Sequence, residues 1–167
     1  MKSKFRNSKY TMIGCSMMLI LIWMDQMTKL WAQEHLKAKE SIELLPGILE
    51  LYYLYPENRG IAFGMFQGNV GLFAVLTVLM SGAIIYFYCK LPKEKYYLPL
   101  CGLSFLFLAG AAGNFIDRVF RGYVIDFIYF SLIDFPVFNL ADIYTVVAAV
   151  LLVFFILFKY KEEDLKF

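Results

Sequence analysis

The residues best suited to chemistry lie near the last two apolar stretches of the chain, at 98–116 and 143–158. Asp126 lies between these stretches, and Asp142 directly precedes the second one. A charged group at membrane depth costs at least about 2.5–3.5 kcal/mol on insertion scales, so such residues are functional candidates. Two carboxylates that meet can share one proton, so that one accepts a proton from water while the other donates to a leaving group. The pattern therefore predicts an acid–base pair.

Other polar residues around this pair could assist it. Asn114 and Asn139 could donate hydrogen bonds that fix or polarise the reacting groups. Arg118 follows Asp117 directly, and it could neutralise that carboxylate or hold an anionic lipid head group. Taken singly, the acidic residues could equally be structural: Asp142 as a helix cap and Asp117 in an exposed pair with Arg118.

The composition excludes several classes of protein. The chain has 167 residues, of which 60% are hydrophobic, whereas soluble domains are roughly 45–50% apolar. A net charge of +2 is too small to indicate nucleic-acid binding. Cys15, Cys89 and Cys101 lie in apolar stretches without paired spacing and are expected to be buried. His35 has no partner ligand nearby, so no metal site is expected.

Four apolar stretches are long enough to cross about 30 Å of hydrocarbon as helices. They predict spans at about residues 11–32, 70–89, 98–116 and 141–160. The segments 33–69 and 117–140 are expected outside the membrane, and a Pro46-Gly47 turn with partial alternation predicts a small sheet in the first. The expected fold is an all-α membrane protein with four transmembrane helices, a small extracytoplasmic β-sheet and an outer loop, in one domain over 1–167.

The basic residues predict how the chain lies in the membrane. Ten of them belong to the two termini and the loop after the second span, and six belong to the other side. The positive-inside rule then puts both termini in the cytoplasm. The unusual polar residues would all lie at the outer surface: Asp25, Asn58, Asn114, Asp117, Arg118, Asp126, Asn139 and Asp142.

Asp25 and Lys29 interrupt the end of the first span. They are four residues apart, so on a helix they share a face and can form an ion pair. The pair could be a local device where the helix leaves the membrane, or a polar anchor for a site at that surface. The spacing alone leaves both interpretations open.

Short ordered motifs occur along nearly the whole chain. They read Asp25-Gln26-Met27-Thr28-Lys29, Asn58-Arg59-Gly60-Ile61-Ala62-Phe63, Gly110, Gly113-Asn114-Phe115-Ile116-Asp117-Arg118, Gly122-Tyr123-Val124-Ile125-Asp126-Phe127 and Phe138-Asn139-Leu140-Ala141-Asp142. On these motifs, the chain resembles the prokaryotic lipoprotein signal peptidases, also called type II signal peptidases.

The resemblance implies that Asp126 and Asp142 are catalytic, with Val124-Ile125 standing where the family has Val-Val. It also implies supporting roles in the active site for a further set: Asp25, Lys29, Asn58, Gly110, Asn114, Arg118, Asn139 and Ala141. The implied enzyme is an aspartic endopeptidase of the bacterial cytoplasmic membrane. It removes signal peptides from prolipoproteins by cutting before the diacylglyceryl-modified cysteine.

No metal or organic cofactor is implied. The implied partners are diacylglyceryl-modified prolipoproteins, membrane lipids and inhibitors of the globomycin type, and they include no nucleic acid.

Two other functions are alternatives for a membrane protein with these residues. A small proton-coupled transporter or channel could use Asp126 and Asp142 as relay groups. It is disfavoured because the polar residues gather at one surface and the second and fourth spans carry no charged relay. A non-catalytic protein that binds lipoproteins is the other alternative, and only an activity assay separates it from a peptidase.

Overall fold

The part of the chain that the structure describes contains four long helices and one small sheet. The computed structural model describes residues 2–60, 69–92 and 94–166, with side chains from residue 9 onward. The helices are α1 (Lys2–His35), α2 (Val70–Lys90), α3 (Leu98–Phe120) and α4 (Leu140–Phe158), and the strands are β1 (Ile42–Leu45), β2 (Leu49–Leu51) and β3 (Ile128–Tyr129). The expected class of four apolar helices with a small sheet is confirmed.

The helices match the predicted spans closely. Within the described residues, four helical segments are long and apolar enough to cross a membrane: Lys9–His35, Val70–Lys90, Lys95–Phe120 and Leu140–Phe158. In the most apolar 18-residue stretch of each helical segment, 44% of the residues are buried for α3, against 6% for α1, 6% for α2 and 11% for α4. The central helix is therefore α3. Cys101 on α3 is buried, but Cys89 on the peripheral α2 is exposed, so the expectation that all three cysteines are buried was wrong.

Small residues let α3 approach its neighbours closely. A Cβ added at Gly110 would lie 2.3 Å from Thr145 Oγ1 and 2.5 Å from the Ala141 carbonyl oxygen, both on α4. A Cβ added at Gly113 would lie 2.5 Å from Asp25 Oδ2 on α1. Only a residue without a side chain fits at such contacts. These two glycines therefore bring α1 and the first turns of α4 against α3.

The sheet links the two segments outside the helices. Its strands are antiparallel in the order β1-β2-β3, and β3 comes from the segment after α3. The sequence predicted a sheet only in the segment between the first two spans, so β3 was not anticipated. Beyond β2, Tyr52 N donates to Phe127 O at 2.8 Å and Leu54 N donates to Asp126 O at 3.0 Å. The sheet therefore fixes the backbone at Asp126.

A second pairing closes the loop between β3 and α4. Ile128 N donates to Phe138 O at 2.8 Å, and Phe138 N donates to Ile128 O at 2.9 Å. Because this pairing joins residues ten apart, it returns the chain to the level of Asp126 just before α4 begins. Asn139 and the first turn of α4 are thereby brought beside Asp126.

An apolar cluster fastens the end of α1 to this region. It consists of Ala32, Leu36, Tyr53, Ile125 and Phe127, all of them buried. Burial of apolar surface stabilises such a contact by roughly 25 cal/mol per Å². The end of α1, the sheet and the segment that carries Asp126 therefore pack as one unit at the same end of the bundle.

The contact at Gly110 generates a stability prediction. Gly110→Ala should lower stability by about 1–3 kcal/mol, because its methyl group overlaps Thr145 and the Ala141 carbonyl and α4 must move. Gly102→Ala on the same helix is the matched control, because an added Cβ there meets nothing within 4 Å. It should be neutral or stabilising by about 0.5–1 kcal/mol. Thermal unfolding in detergent measures both variants. Equal melting temperatures for Gly110→Ala and Gly102→Ala would contradict the close packing of α3 against α4 at Gly110.

Candidate active site

Asp126 lies in the segment between α3 and β3 and is only 3% exposed. Its Oδ1 accepts a hydrogen bond from Asn139 Nδ2 at 2.6 Å. Its Oδ2 accepts one from Asn58 Nδ2 at 2.8 Å, and Asn58 is itself held by the hydrogen bond from Val124 N to its carbonyl at 2.8 Å. Amide donors from two distant parts of the chain therefore fix the whole carboxylate.

Asp142 lies in the first turn of α4, which begins with a capping box. The N-cap residue Asn139 accepts a hydrogen bond at Oδ1 from Asp142 N, and Asn139 N donates to Asp142 Oδ2, both at 3.1 Å. The other oxygen, Oδ1, accepts from Asn114 Nδ2 at 2.8 Å. Asp142 is thus a helix cap, as the sequence allowed, and it also lines the cavity described below. Asn139 contacts both carboxylates and so brings Asp126 and Asp142 together.

Asn114 connects this pair to the ionic part of the site. While it donates to Asp142, its Oδ1 accepts from Asn139 Nδ2 at 3.1 Å and from Lys29 Nζ at 2.9 Å. An amide that donates and accepts at once has only one satisfactory orientation. The two asparagines, expected from the sequence to fix the reacting groups, therefore form a continuous chain of hydrogen bonds between Lys29 and the two aspartates.

Lys29 and Asp25 are both fully buried and form the ion pair that their spacing predicted, at 2.9 Å. Lys29 also pairs with Asp117 at 3.0 Å. The second oxygen of Asp25 accepts from Ala141 N at 3.0 Å, at the start of α4. These contacts answer the question that the spacing left open: the pair joins α1 to α3 and α4 and is not a local device of one helix.

Neutralisation of Asp117 was one of two roles that the sequence left open for Arg118, and the structure does not show it. Asp117 is fully buried and pairs instead with Lys29 and with Arg121, one turn further along α3. Consecutive residues of a helix point about 100° apart, whereas residues four apart share a face. Arg118 therefore turns away from Asp117, and its guanidinium lies 5.8 Å from the centre of the Phe73 ring.

Sequence reasoning missed two residues of this network, Gln26 and Arg121. Gln26 Nε2 donates to Asp25 Oδ2 at 3.0 Å and to Asp117 Oδ1 at 3.3 Å. Arg121 donates to Gln26 Oε1 at 2.9 Å and pairs with Asp117. The spacing of four between Asp117 and Arg121 was a usable signal, but nothing local indicated that Gln26 would lie between them.

Asp126 has the properties of a group that exchanges protons near neutral pH. Burial, and after it the negative charge of Asp142, raises the pKa of Asp126 from its usual 3.8 to about 7. The hydrogen bonds from Asn58 and Asn139 lower it, but they do not offset the burial. Two carboxylates held by one asparagine, of which Asp126 has a raised pKa, can carry out general acid–base chemistry.

A cavity of about 630 Å³ adjoins Asp142 between α2, α3 and α4. Phe73, Met80, Phe107 and Val146 contribute to its largely apolar walls. Its polar lining residues are Thr77, Asn114, Arg118, Asp142 and Thr145.

Arg118 donates to the carbonyl oxygens of Asn114 and Gly60, each at 3.4 Å, and has no carboxylate within ion-pair distance among the described residues.

The remaining residues predicted for the site lie at two contacts. Asn58 contacts Asp126, and Gly110 and Ala141 form the close contact between α3 and α4. Residues 61–63 of the Asn58 motif lie outside the described residues. Within the part of the chain that the structure describes, no group of three or more His, Cys, Asp and Glu side chains could hold a metal ion.

The fold and the site together define a multi-pass membrane protein with two carboxylates, joined by Asn139, at one end of its helical bundle. The family model described as signal peptidase (SPase) II matches residues 17–158. The chain belongs to the signal peptidase II family, so the resemblance inferred from the motifs is confirmed.

Relatives and solved structures agree with this assignment. The chain is 40% identical over 146 residues to the lipoprotein signal peptidase of Streptococcus thermophilus (strain CNRZ 1066), covering 87% of this chain and 91% of the relative. It is 39% identical over 147 residues to that of Streptococcus pyogenes serotype M5 (strain Manfredo), covering 88% and 92%.

Two bacterial membrane enzyme structures solved by the in meso method each superpose with a TM-score of 0.76, at 29% and 30% identity. They cover 90% and 89% of this chain and 92% and 94% of their own. The chain is therefore a multi-pass bacterial membrane peptidase that removes signal peptides from prolipoproteins.

The buried ion pairs generate a second stability prediction. Lys29→Met should lower stability by about 3–5 kcal/mol, because it leaves Asp25 and Asp117 without their shared cation. Lys37→Met is the matched control: Lys37 pairs with Glu57 at 3.0 Å, but it is 40% exposed, and exposed pairs contribute little. Thermal unfolding of both variants in one detergent checks this, and similar small shifts would show that the Lys29 pairs are not structurally important.

Proposed function

We propose that Asp126 and Asp142 are the catalytic dyad of this peptidase, which cleaves prolipoproteins just before the diacylglyceryl-modified cysteine. The observation that carries the proposal is that two carboxylates from separate elements are bound by the same residue, Asn139. The pKa of Asp126, raised to about 7 by burial and by Asp142, supports it, because the dyad then retains one proton at neutral pH.

The reaction follows from this single shared proton. At neutral pH Asp126 carries it, and the carboxylate of Asp142 accepts a proton from water while the water oxygen bonds to the scissile carbonyl carbon. As the carbon–nitrogen bond breaks, Asp126 gives its proton to the departing amine. The dyad has then exchanged one proton for another, and a transfer between its members restores the starting state. Asn58 and Asn139 hold the acid throughout, since both donate to Asp126.

The cavity beside Asp142 is the proposed site of the substrate. Its walls of Phe73, Met80, Phe107 and Val146 suit the lipid-modified part of a prolipoprotein, which lies in the bilayer. Arg118 is the strongest donor that lines the cavity and has no carboxylate partner within reach among the described residues, so it is suited to bind a substrate carbonyl. Globomycin-type inhibitors would occupy the same cavity.

The orientation in the membrane is part of the proposal. Ten basic residues on the side of the termini against six on the other favour cytoplasmic termini, which puts the dyad at the outer face. The sheet lies at the same end and exposes apolar side chains, among them Ile42 at 44%, Leu44 at 51% and Leu45 at 52%. These side chains would rest on the lipid surface beside the site.

Amide substitutions test the dyad directly. Asp126→Asn and Asp142→Asn should each lower kcat at least about 100-fold, because an amide cannot exchange the proton. The double variant should be no worse than either single one, since the two groups act as a unit. The measurement is cleavage of a diacylglyceryl-modified prolipoprotein by the purified protein, with the unmodified prolipoprotein and globomycin in parallel.

Asp134→Asn is the matched control for these variants. Asp134 is an exposed carboxylate of the same loop that accepts from the Tyr129 hydroxyl at 2.6 Å and is not among the hydrogen-bond partners of Asn139, so its loss should leave cleavage intact. A folded Asp126→Asn or Asp142→Asn protein with near wild-type turnover would refute the mechanism. Variants that bind the modified substrate without cutting it would support the mechanism and argue against a transporter.

The pH dependence follows from the same pair. Since the pKa of Asp126 is raised from 3.8 to about 7, the singly protonated dyad persists up to about pH 7 and is lost above it. The profile of kcat/KM should therefore be bell-shaped, with an alkaline limb near pH 7 and a fall in acid as the second proton binds. Initial rates between pH 4 and 9 measure it, and a rate that keeps rising above pH 8 would contradict a shared proton.

A further inference from the structure

Arg121 lies at the end of α3, outside the cavity and without contact to either aspartate of the dyad. Its side chain is 19% exposed, and its Nη1 donates both to Gln26 Oε1, at 2.9 Å, and to Asp117 Oδ1. Gln26 in turn donates to the same Oδ1 of Asp117, at 3.3 Å. Two side chains from two helices thus occupy one oxygen of a fully buried carboxylate.

The other oxygen of Asp117 binds the backbone beside Asp126 and the buried lysine. Oδ2 accepts a hydrogen bond from Ile125 N at 3.2 Å and pairs with Lys29 Nζ at 3.0 Å. Ile125 is 1% exposed, so its N–H has no access to water as an alternative partner. An unsatisfied buried N–H costs about 1–3 kcal/mol, which makes this acceptor important for the local backbone.

The residue held in this way directly precedes Asp126. The carbonyl oxygen of Ile125 accepts from Asn139 Nδ2 at 3.3 Å, and its N–H donates to Asp117. Both polar groups of this residue are therefore fixed by side chains of the site. A shift of the Asp117 carboxylate would move the backbone that carries Asp126.

Charge balance gives Arg121 a second effect on Asp117. The buried cluster contains the carboxylates of Asp25 and Asp117 and the ammonium of Lys29, and Arg121 supplies the second positive charge. Without Arg121, Lys29 would be the only cation for two carboxylates. Oδ1 of Asp117, left with the 3.3 Å hydrogen bond from Gln26, would then compete with Oδ2 for Lys29, and the carboxylate would turn away from Ile125 N.

We propose that Arg121 and Gln26 are positioning residues for prolipoprotein cleavage: by binding Oδ1 of Asp117, they reserve Oδ2 for Ile125 N and so hold Asp126 at the substrate. The inference rests on the proposed role of Asp126. Neither residue lines the cavity, so their effect belongs in the chemical step and not in substrate binding. A misplacement on the order of 1 Å can cost about 100-fold in rate.

The experiment compares kcat and KM of the purified full-length chain for the diacylglyceryl-modified prolipoprotein. Arg121→Met should lower kcat at least about tenfold and change KM by less than about twofold. Arg121→Lys should recover part of kcat, because an ammonium restores the positive charge beside Asp117 but not the shape and reach of the guanidinium. Lys39→Met is the matched control, since it removes an exposed cation that donates to the Glu34 carbonyl at 3.2 Å, and it should leave kcat unchanged.

Gln26→Leu and the double variant give an independent measure. Gln26→Leu should also lower kcat with KM preserved, and Arg121→Met with Gln26→Leu should cost less than the two losses multiplied, because both act through Asp117. Hydrogen exchange of the Ile125 amide should be faster in each variant while exchange in the middle of α3 is unchanged. This readout reports the local backbone and would not respond to a uniform loss of stability.

The outcomes separate this inference from the proposed dyad. If Asp126→Asn retains turnover, the dyad proposal fails and this inference fails with it. If Asp126→Asn is inactive but Arg121→Met keeps wild-type kcat, only the inference about Arg121 is overturned. If Arg121→Met does not fold, the test is made with Gln26→Leu. A wild-type kcat and an unchanged hydrogen exchange of the Ile125 amide in Gln26→Leu would then overturn the inference about Arg121 and Gln26.

Discussion

The structure depends on one buried ammonium, that of Lys29. Removing such an ion from water costs several kcal/mol, and the cost is recovered only if its donors are satisfied with good geometry. Lys29 has three donors, and three acceptors lie within 3.0 Å: Asp25, Asp117 and Asn114. Because these acceptors come from α1 and α3, and because Asp25 also binds Ala141 N on α4, the requirement to satisfy one cation fixes three helices relative to each other.

Two asparagines connect the buried ammonium of Lys29 to Asp126 and Asp142. Asn114 accepts from Lys29 and donates to Asp142, while Asn139 caps α4 and donates to Asp126. Each amide therefore has a fixed orientation, and each carboxylate receives donors from two directions. The positions of Asp126 and Asp142 follow from the same hydrogen bonds that satisfy the end of α4, so the helix start and the site form together.

The sequence predicted the parts of this arrangement that are local. The apolar stretches indicated four helices, and the spacing of Asp25 and Lys29 indicated a shared face. Contacts between residues far apart in the chain could not be predicted from apolar stretches or local spacing. Strand β3 pairs with residues far away in the chain, and a short segment carries no signal for its partner. A pair of Asp117 with the adjacent Arg118 was left open by the sequence, whereas the helix directs Asp117 to Lys29 and Arg121.

The amides between Lys29 and the two aspartates also keep the buried cation out of direct contact with the proposed dyad. A lysine in direct contact with a carboxylate favours its ionised form, and a dyad with both members ionised would have no acid to protonate the leaving amine. Lys29 instead binds Asn114, and Asn114 binds Asp142. The charge of Lys29 lowers the pKa of Asp126, but burial and Asp142 outweigh it, and the pKa remains raised to about 7. Neutral donors stabilise the positions of the carboxylates, and in the proposed mechanism they would leave the shared proton free to move.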